Sequence, residues 1–142
     1  ALQMARDHPL LGVGLDNFLY LYGDRYVQRD AVQERFLSHP HNAVLDWWTR
    51  LGLPGLVLFV AVGAGNLLAG AKAIARACDS RGPAALARGP AWSPWLPLAV
   101  GALGMQVYAL AHGMVDNVFF LVDLAVVWWI GQAGVLAVLD ED

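Results

Sequence analysis

The sequence predicts an all-α, polytopic integral membrane protein fragment: about three transmembrane helices behind an N-terminal external loop that contains an interfacial amphipathic helix. Three observations predict it. Of 142 residues, 58% are hydrophobic and 15% charged, against about 25% charged in an ordinary soluble domain. Three segments reach the length of about 20 residues that a helix needs to cross a bilayer core of about 30 Å. Those segments hold almost no charge: Leu51–Ala71 and Gly89–Val115 carry none if His112 is neutral, and Asn117–Leu139 carries only Asp123.

The spans are expected at about 53–75, 93–112 and 117–138, with residues 1–50 as an extramembrane loop and 76–91 as a basic loop. That second loop holds Arg76, Arg81 and Arg88 against a single acid, Asp79, and follows Lys72. Short loops rich in Lys and Arg stay in the cytoplasm. Alternation then puts residues 1–50 outside, the turn "HGMVDN" (His112 to Asn117) outside and the C-terminal "DED" inside. Trp47 and Trp48 suit the outer interface, and Trp92 and Trp95 the inner one. Trp128 and Trp129 fall deeper than an aromatic belt and are read as packing residues. The first span repeats small residues at every fourth position, Ala61, Gly65, Ala69, Ala73 and Ala77, a spacing that lets helix backbones approach closely. The chain opens on Ala1 without the pattern of a signal peptide. It is expected to be a piece of a longer protein whose earlier transmembrane helices are missing.

Composition excludes several functions. A net charge of −3 gives no basic footprint for nucleic acid. One cysteine, Cys78, forms no internal disulfide and no cysteine-rich metal site. "GVGLDN" holds Gly12 and Gly14 but Asn17 where a dinucleotide fingerprint needs a third glycine, and no strand pattern precedes it. The two glycines are expected to make a tight turn before a short helix from Asp16, with Asp16 as its cap.

In "SHPHNAVLDWWTRLGLPG", Ser38 is expected to cap a helix of about 12 residues with Pro40 in its first turn, Gly52 at its end and Pro54 beyond. Asn42, Asp46 and Arg50 then form one polar stripe, with Asp46 four residues from Arg50 and placed to pair with it. Adjacent tryptophans suit a helix lying along the outer interface, with His41 at headgroup depth. His39 and His41 could both bind a metal, but two histidines alone do not complete a tetrahedral set. Imidazole also serves as a general base near neutral pH. Arg25, Arg29, Arg35 and Arg50 could grip phosphate oxygens in bidentate fashion. A base beside such arginines at the membrane surface fits group transfer from a phospholipid-like donor. At the second outer turn, His112, Asp116 and Asn117 either cap the third span, orient a catalytic histidine or bind sugar hydroxyls. Asp123 lies about 9 Å deeper at 1.5 Å per residue, where a carboxylate is costly unless paired or wet.

"HPLLGVGLDNF", "GDRY", "SHPHNAVLDWWTRLGLPGL" and "HGMVDNVFFLVDLA" together resemble the C-terminal part of the O-antigen ligase and O-antigen polymerase family of bacterial membrane proteins. The most specific element is a His-Asn pair opening a helix that ends in "LGLPG". The resemblance implies a multi-pass protein of the bacterial inner membrane with the loop 1–50 extracytoplasmic. It implies transfer of a glycan from a polyprenyl diphosphate to a hydroxyl on a lipid, glycan or protein acceptor, with no metal or other cofactor. By the same resemblance His41 is the base and His39 a second candidate. Arg25 is the first choice for the diphosphate, followed by Arg35 and Arg50, with Asn42, His112, Asp116 and Asn117 as further substrate contacts. The alternative is a transporter or scaffolding module, which would concentrate polar groups at mid-membrane; here they gather at the outer end.

The topology has a direct check. A cysteine introduced at Ser38 is expected to react with a membrane-impermeant thiol reagent on intact cells, and one at Ser80 is not. The reverse labelling pattern would refute the orientation.

Overall fold

The computed structural model describes residues 1–79, 95–116 and 122–140. Among them there are helices and turns but no strand, which agrees with the all-α expectation. The elements are α1 (Leu2–Asp7), α2 (Phe18–Leu21), a π-helical turn (Tyr22–Tyr26), a 3-10 turn (Arg29–Glu34), α3 (Ala43–Asp79), α4 (Leu96–His112) and α5 (Val122–Asp140). They divide into two compact units, one of Ala1–Val62 with Ala111–Phe120, the other of Gly63–Leu110 with Leu121–Asp142.

In the first unit, α3 begins at Ala43 and not near Ser38. A helix capped by Ser38 would force His39 into helical geometry, which the following proline disfavours. Asn42 caps instead: its side-chain oxygen accepts from the Leu45 N–H at 3.0 Å, the expected geometry of an N-cap. His39, Pro40 and His41 therefore precede the helix, and His41 is not in its first turn.

Gly52 interrupts α3 with φ 70 and ψ −165, so residues 43–51 form a short helix and 53–79 a long one. The expected stop at Gly52 is present. Its physical cause lies in the N-terminal turn. A helix end leaves its last carbonyls without intrahelical donors, and here Val13 N–H donates to Thr49 O at 2.7 Å and Gly14 N–H to Arg50 O at 3.1 Å. In return Leu53 N–H donates to Pro9 O at 2.8 Å. This is backbone against backbone. A Cβ on Gly12 would lie 2.6 Å from Thr49 O, and one on Gly52 would overlap the carbonyl of Leu10. Gly12 and Gly14 have φ of 66 and 96, in the left-handed region that favours glycine. The expected tight turn is thus found, but Asp16 does not cap α2. Asn17 occupies that position, and no side-chain cap forms there.

Helix 43–51 packs its charged side chains inward. Its polar stripe is the buried face: Asp46 is 0% exposed and Arg50 8%. α1 buries Met4 and Ala5, and Tyr26 ties it to the π-helical turn by donating its hydroxyl to Asp7 at 2.9 Å. Partial burial, then that hydrogen bond, pushes the Tyr26 phenol above its ordinary range. Phe18, fully buried, stacks on Tyr22 with ring centroids 5.3 Å apart.

In the second unit Ala73, Ala99, Ala102, Val135 and Val138 form the core, with Ala69 and Trp95 packed against it. Only the later part of the predicted small-residue stripe packs in this way. Ala73 and Ala77 are buried, whereas Ala61 and Gly65 are exposed. Trp128 is buried and Trp129 exposed. α3 runs on to Asp79, so the start of the expected basic loop 76–91 is helical. Residues 80–94, with Arg81, Arg88 and Trp92, lie outside the described residues.

Among the described residues α3 is long and apolar enough to cross a membrane, and only 17% of its apolar window is buried. α4 and the described part of the third expected span are shorter apolar helices.

The glycine contacts make a stability prediction. Gly52→Ala or Gly12→Ala is expected to lower the thermal midpoint in detergent, since a left-handed L-residue costs about 1–2 kcal/mol before any clash. Gly65→Ala and Gly104→Ala, with nothing within 4 Å of the added Cβ, are expected to leave it unchanged or raise it. Equal effects at all four positions would contradict this account of the turn.

Candidate active site

The segment 38–42 and the turn after α4 meet at the start of α3. That turn is closed by Val115 N–H and Asp116 N–H donating to His112 O at 3.0 and 2.9 Å. It presents its carbonyls to the helix N-terminus, whose first N–H groups need acceptors. Ala43 N–H donates to Gly113 O at 2.6 Å, and Asn42 Nδ2 donates to Met114 O at 3.0 Å. Both ends of the Asn42 amide are thus engaged, one capping the helix and the other holding the turn.

This docking delivers Asp116 to the histidines. His41 Nδ1 lies 2.9 Å from Asp116 Oδ1, and His39 Nε2 lies 3.6 Å from the same oxygen. The two rings are 5.2 Å apart, tilted by 59°. Ser38 Oγ is 2.9 Å from His39 Nδ1. Pro40, between the two histidines, is buried and fixes one backbone dihedral there. The histidine and aspartate side chains are partly open, with exposures of 26% for His39, 54% for His41 and 47% for Asp116.

The chemistry follows from the donor and acceptor inventory. An ionised carboxylate only accepts, so a neutral His41 bonded to it carries its proton on Nδ1. Nε2 then holds the ring's lone pair, the form needed by a general base. Aspartate fixes tautomer and orientation in this manner in Ser-His-Asp sites. His39 has a partner near each nitrogen.

The arginines separate into two kinds. Arg50 is buried and occupied: Nε donates to Asp46 at 2.7 Å, and Nη1 donates to Asp16 at 3.3 Å and to the Leu15 carbonyl. It joins helix 43–51 to the N-terminal turn, and the Asp46–Arg50 pair expected from the spacing is present. Arg35 is exposed and bridges to Asp24 at 3.4 Å. Its carbonyl lies 2.8 Å from where a Gly23 Cβ would stand, against the π-helical turn that also carries Arg25. The Arg25 side chain is exposed and makes no hydrogen bond or ion pair among the described residues. The half-buried His112 accepts the turn's N–H groups through its backbone. Asn117 and the Asp123 side chain lie outside the described residues.

Sequence reasoning gathered the residues of this site but missed its wiring. It left three roles open for Asp116 and gave none to the carbonyls of Gly113 and Met114. No local spacing connects positions 75 residues apart.

Residues 1–60 match the protein family described as O-antigen ligase. The resemblance read from "HPLLGVG", "GDRY" and "SHPHNAVLDWWTRLGLPG" is borne out over those residues. "HGMVDNVFFLVDLA" lies beyond them. None of the curated proteins matches the chain.

The two kinds of ion pair predict different costs. Asp46→Ala leaves a buried guanidinium short of its partner and is expected to cost about 3–5 kcal/mol of stability. Asp24→Ala breaks an exposed pair and is expected to cost at most about 1 kcal/mol. Denaturant or thermal unfolding in detergent measures both, and a similar small loss at each would contradict the assignment of Arg50 to the fold.

Proposed function

We propose that this chain, whose residues 1–60 match the O-antigen ligase family, carries the catalytic base of a membrane glycosyltransferase that moves a glycan from a polyprenyl diphosphate to an acceptor hydroxyl. The observation that carries the reading is the hydrogen bond of 2.9 Å between His41 and Asp116. His41 Nε2 takes the proton of the acceptor hydroxyl as its oxygen attacks the anomeric carbon. The bond from that carbon to the diphosphate breaks, and the polyprenyl diphosphate leaves with the electron pair. Asp116 stabilises the imidazolium formed and keeps the ring in place. No cofactor is assigned a step.

Arg25 is the first choice to hold the developing diphosphate charge, because it is exposed and close in sequence to the Asp24–Arg35 pair. Arg35 can exchange its weak surface bond with Asp24 for a phosphate, since exposed pairs are worth at most about 1 kcal/mol and phosphate accepts from guanidinium in bidentate fashion. Arg50 serves the fold, and Asn42 positions the turn that bears Asp116. His112 and Asn117 remain candidates for sugar contact. The apolar, largely uncovered α3 supports a membrane setting, with His41 just outside the first span and the acceptor reaching it from the extracytoplasmic side. The family implies a bacterial inner membrane. A transporter or scaffolding module is the second reading. Its nearest support is the buried amides of Gln106 and Gln132, but neither ionises, so they offer no proton path.

His41→Ala is expected to lower glycan transfer by about 10²–10⁴-fold, the usual contribution of a general base, with membrane insertion intact. Asp116→Asn is expected to lower it by less. A transfer assay with a lipid-linked glycan donor in membranes measures both, and near-normal transfer by His41→Ala would sink the role given to His41.

A further inference from the structure

Two histidines alone are a weak metal signal, but the fold adds a third ligand to them. His39, His41 and Asp116 each offer a ligand atom within 4.8 Å of the other two. Two of the separations are short: His41 Nδ1 to Asp116 Oδ1 is 2.9 Å and His39 Nε2 to the same oxygen is 3.6 Å. A tetrahedral zinc ion with bonds of about 2.0–2.1 Å needs its ligand atoms about 3.3 Å apart, which lies between those two values. The two imidazoles, with ring centroids 5.2 Å apart, both approach the same oxygen of Asp116. Partial exposure of all three side chains leaves an entry path and a fourth position for water.

We infer that this cluster is a zinc site, and that zinc bound there masks the base. The inference rests on the role proposed for His41. Two imidazoles and one carboxylate, with a fourth position for water, match the ligand set of open zinc sites, whereas Mg²⁺ and Ca²⁺ take sets of oxygens.

The masking follows from the tautomer. Without metal, His41 carries its proton on Nδ1 for Asp116 and keeps the lone pair on Nε2. Zinc takes the lone pair of Nδ1, so the proton formerly on Nδ1 is exchanged through solvent and the neutral ring carries it on Nε2. The nitrogen that would accept the acceptor's proton is then already protonated. Asp116 passes from hydrogen-bond acceptor to zinc ligand, and His39 joins it through Nε2 while Ser38 remains on Nδ1. The two states share the same side chains and exclude each other.

The test uses the full-length protein purified in detergent and zinc sulfate, with binding read by competition against a fluorescent zinc chelator. One zinc ion per chain is expected. His39→Ala and Asp116→Asn are each expected to weaken binding at least as much as the roughly 10- to 100-fold that loss of an outer-shell partner costs at a metal site. Failure to bind zinc, or wild-type affinity in either variant, would overturn the site while leaving the base assignment to its own test. Glycan transfer by the same preparation is expected to fall as the site fills and to return when a chelator removes the zinc. Stoichiometric zinc with transfer unchanged would overturn the masking. Loss of transfer on chelation would overturn it too, since the metal would then serve the reaction.

Discussion

A helix that stops at residue 51 leaves its last carbonyls without donors, and the turn 9–14 supplies them from its own backbone. Everything in the first unit depends on that exchange. The N–H groups of Val13 and Gly14 reach Thr49 and Arg50, and contact this close is possible only where Gly12 and Gly52 have no side chain. Arg50 reinforces it from the side, tying Asp46 on the helix to Leu15 and Asp16 on the turn. A buried ion pair is not in itself strong evidence of stability, because desolvation offsets much of the attraction. Here it adds direction: the guanidinium has donors for both partners, so the helix and the turn are held in one register.

The opposite end of the same short helix is held by the same kind of chemistry. Its free N–H groups take the carbonyl of Gly113 and the oxygen of Asn42, while the Asn42 amide nitrogen grips Met114. Satisfying a helix terminus thereby brings Asp116 to His41. The requirement is structural and the consequence is chemical, since the carboxylate decides which imidazole nitrogen carries a proton. The small helix is thus a spacer capped at both ends by distant segments of the chain. One cap fixes the helix, and the other assembles the histidine site.

Much of this was legible in the sequence where the signals are local. Gly52 followed by Pro54 marked a helix end, Gly12 and Gly14 marked a tight turn, and the i, i+4 spacing of Asp46 and Arg50 marked their pair. The apolar segments marked the long helix. The errors arose where two local rules competed or where a partner was remote. Ser38 and Asn42 are both good caps, and the choice between them turned on the restriction that Pro40 places on His39. The spacing of Asp46 and Arg50 marked their pair but not its burial, nor the further bonds from Arg50 to Leu15 and Asp16, which periodicity within the helix cannot reveal. The pairing of His41 with Asp116 joins two segments that share no spacing, so the sequence offered both residues and left the role of Asp116 open.

The claim that most of this rests on is that Asp116 fixes the proton of His41 on Nδ1. Nitrogen-15 NMR of histidine-labelled protein, with chelator present and at a pH where the ring is neutral, reads that tautomer directly. A His41 signal with protonated Nδ1 and bare Nε2 is expected, with a mixture or the opposite tautomer in Asp116→Asn. A wild-type His41 protonated on Nε2, or a tautomer indifferent to Asp116, would contradict it.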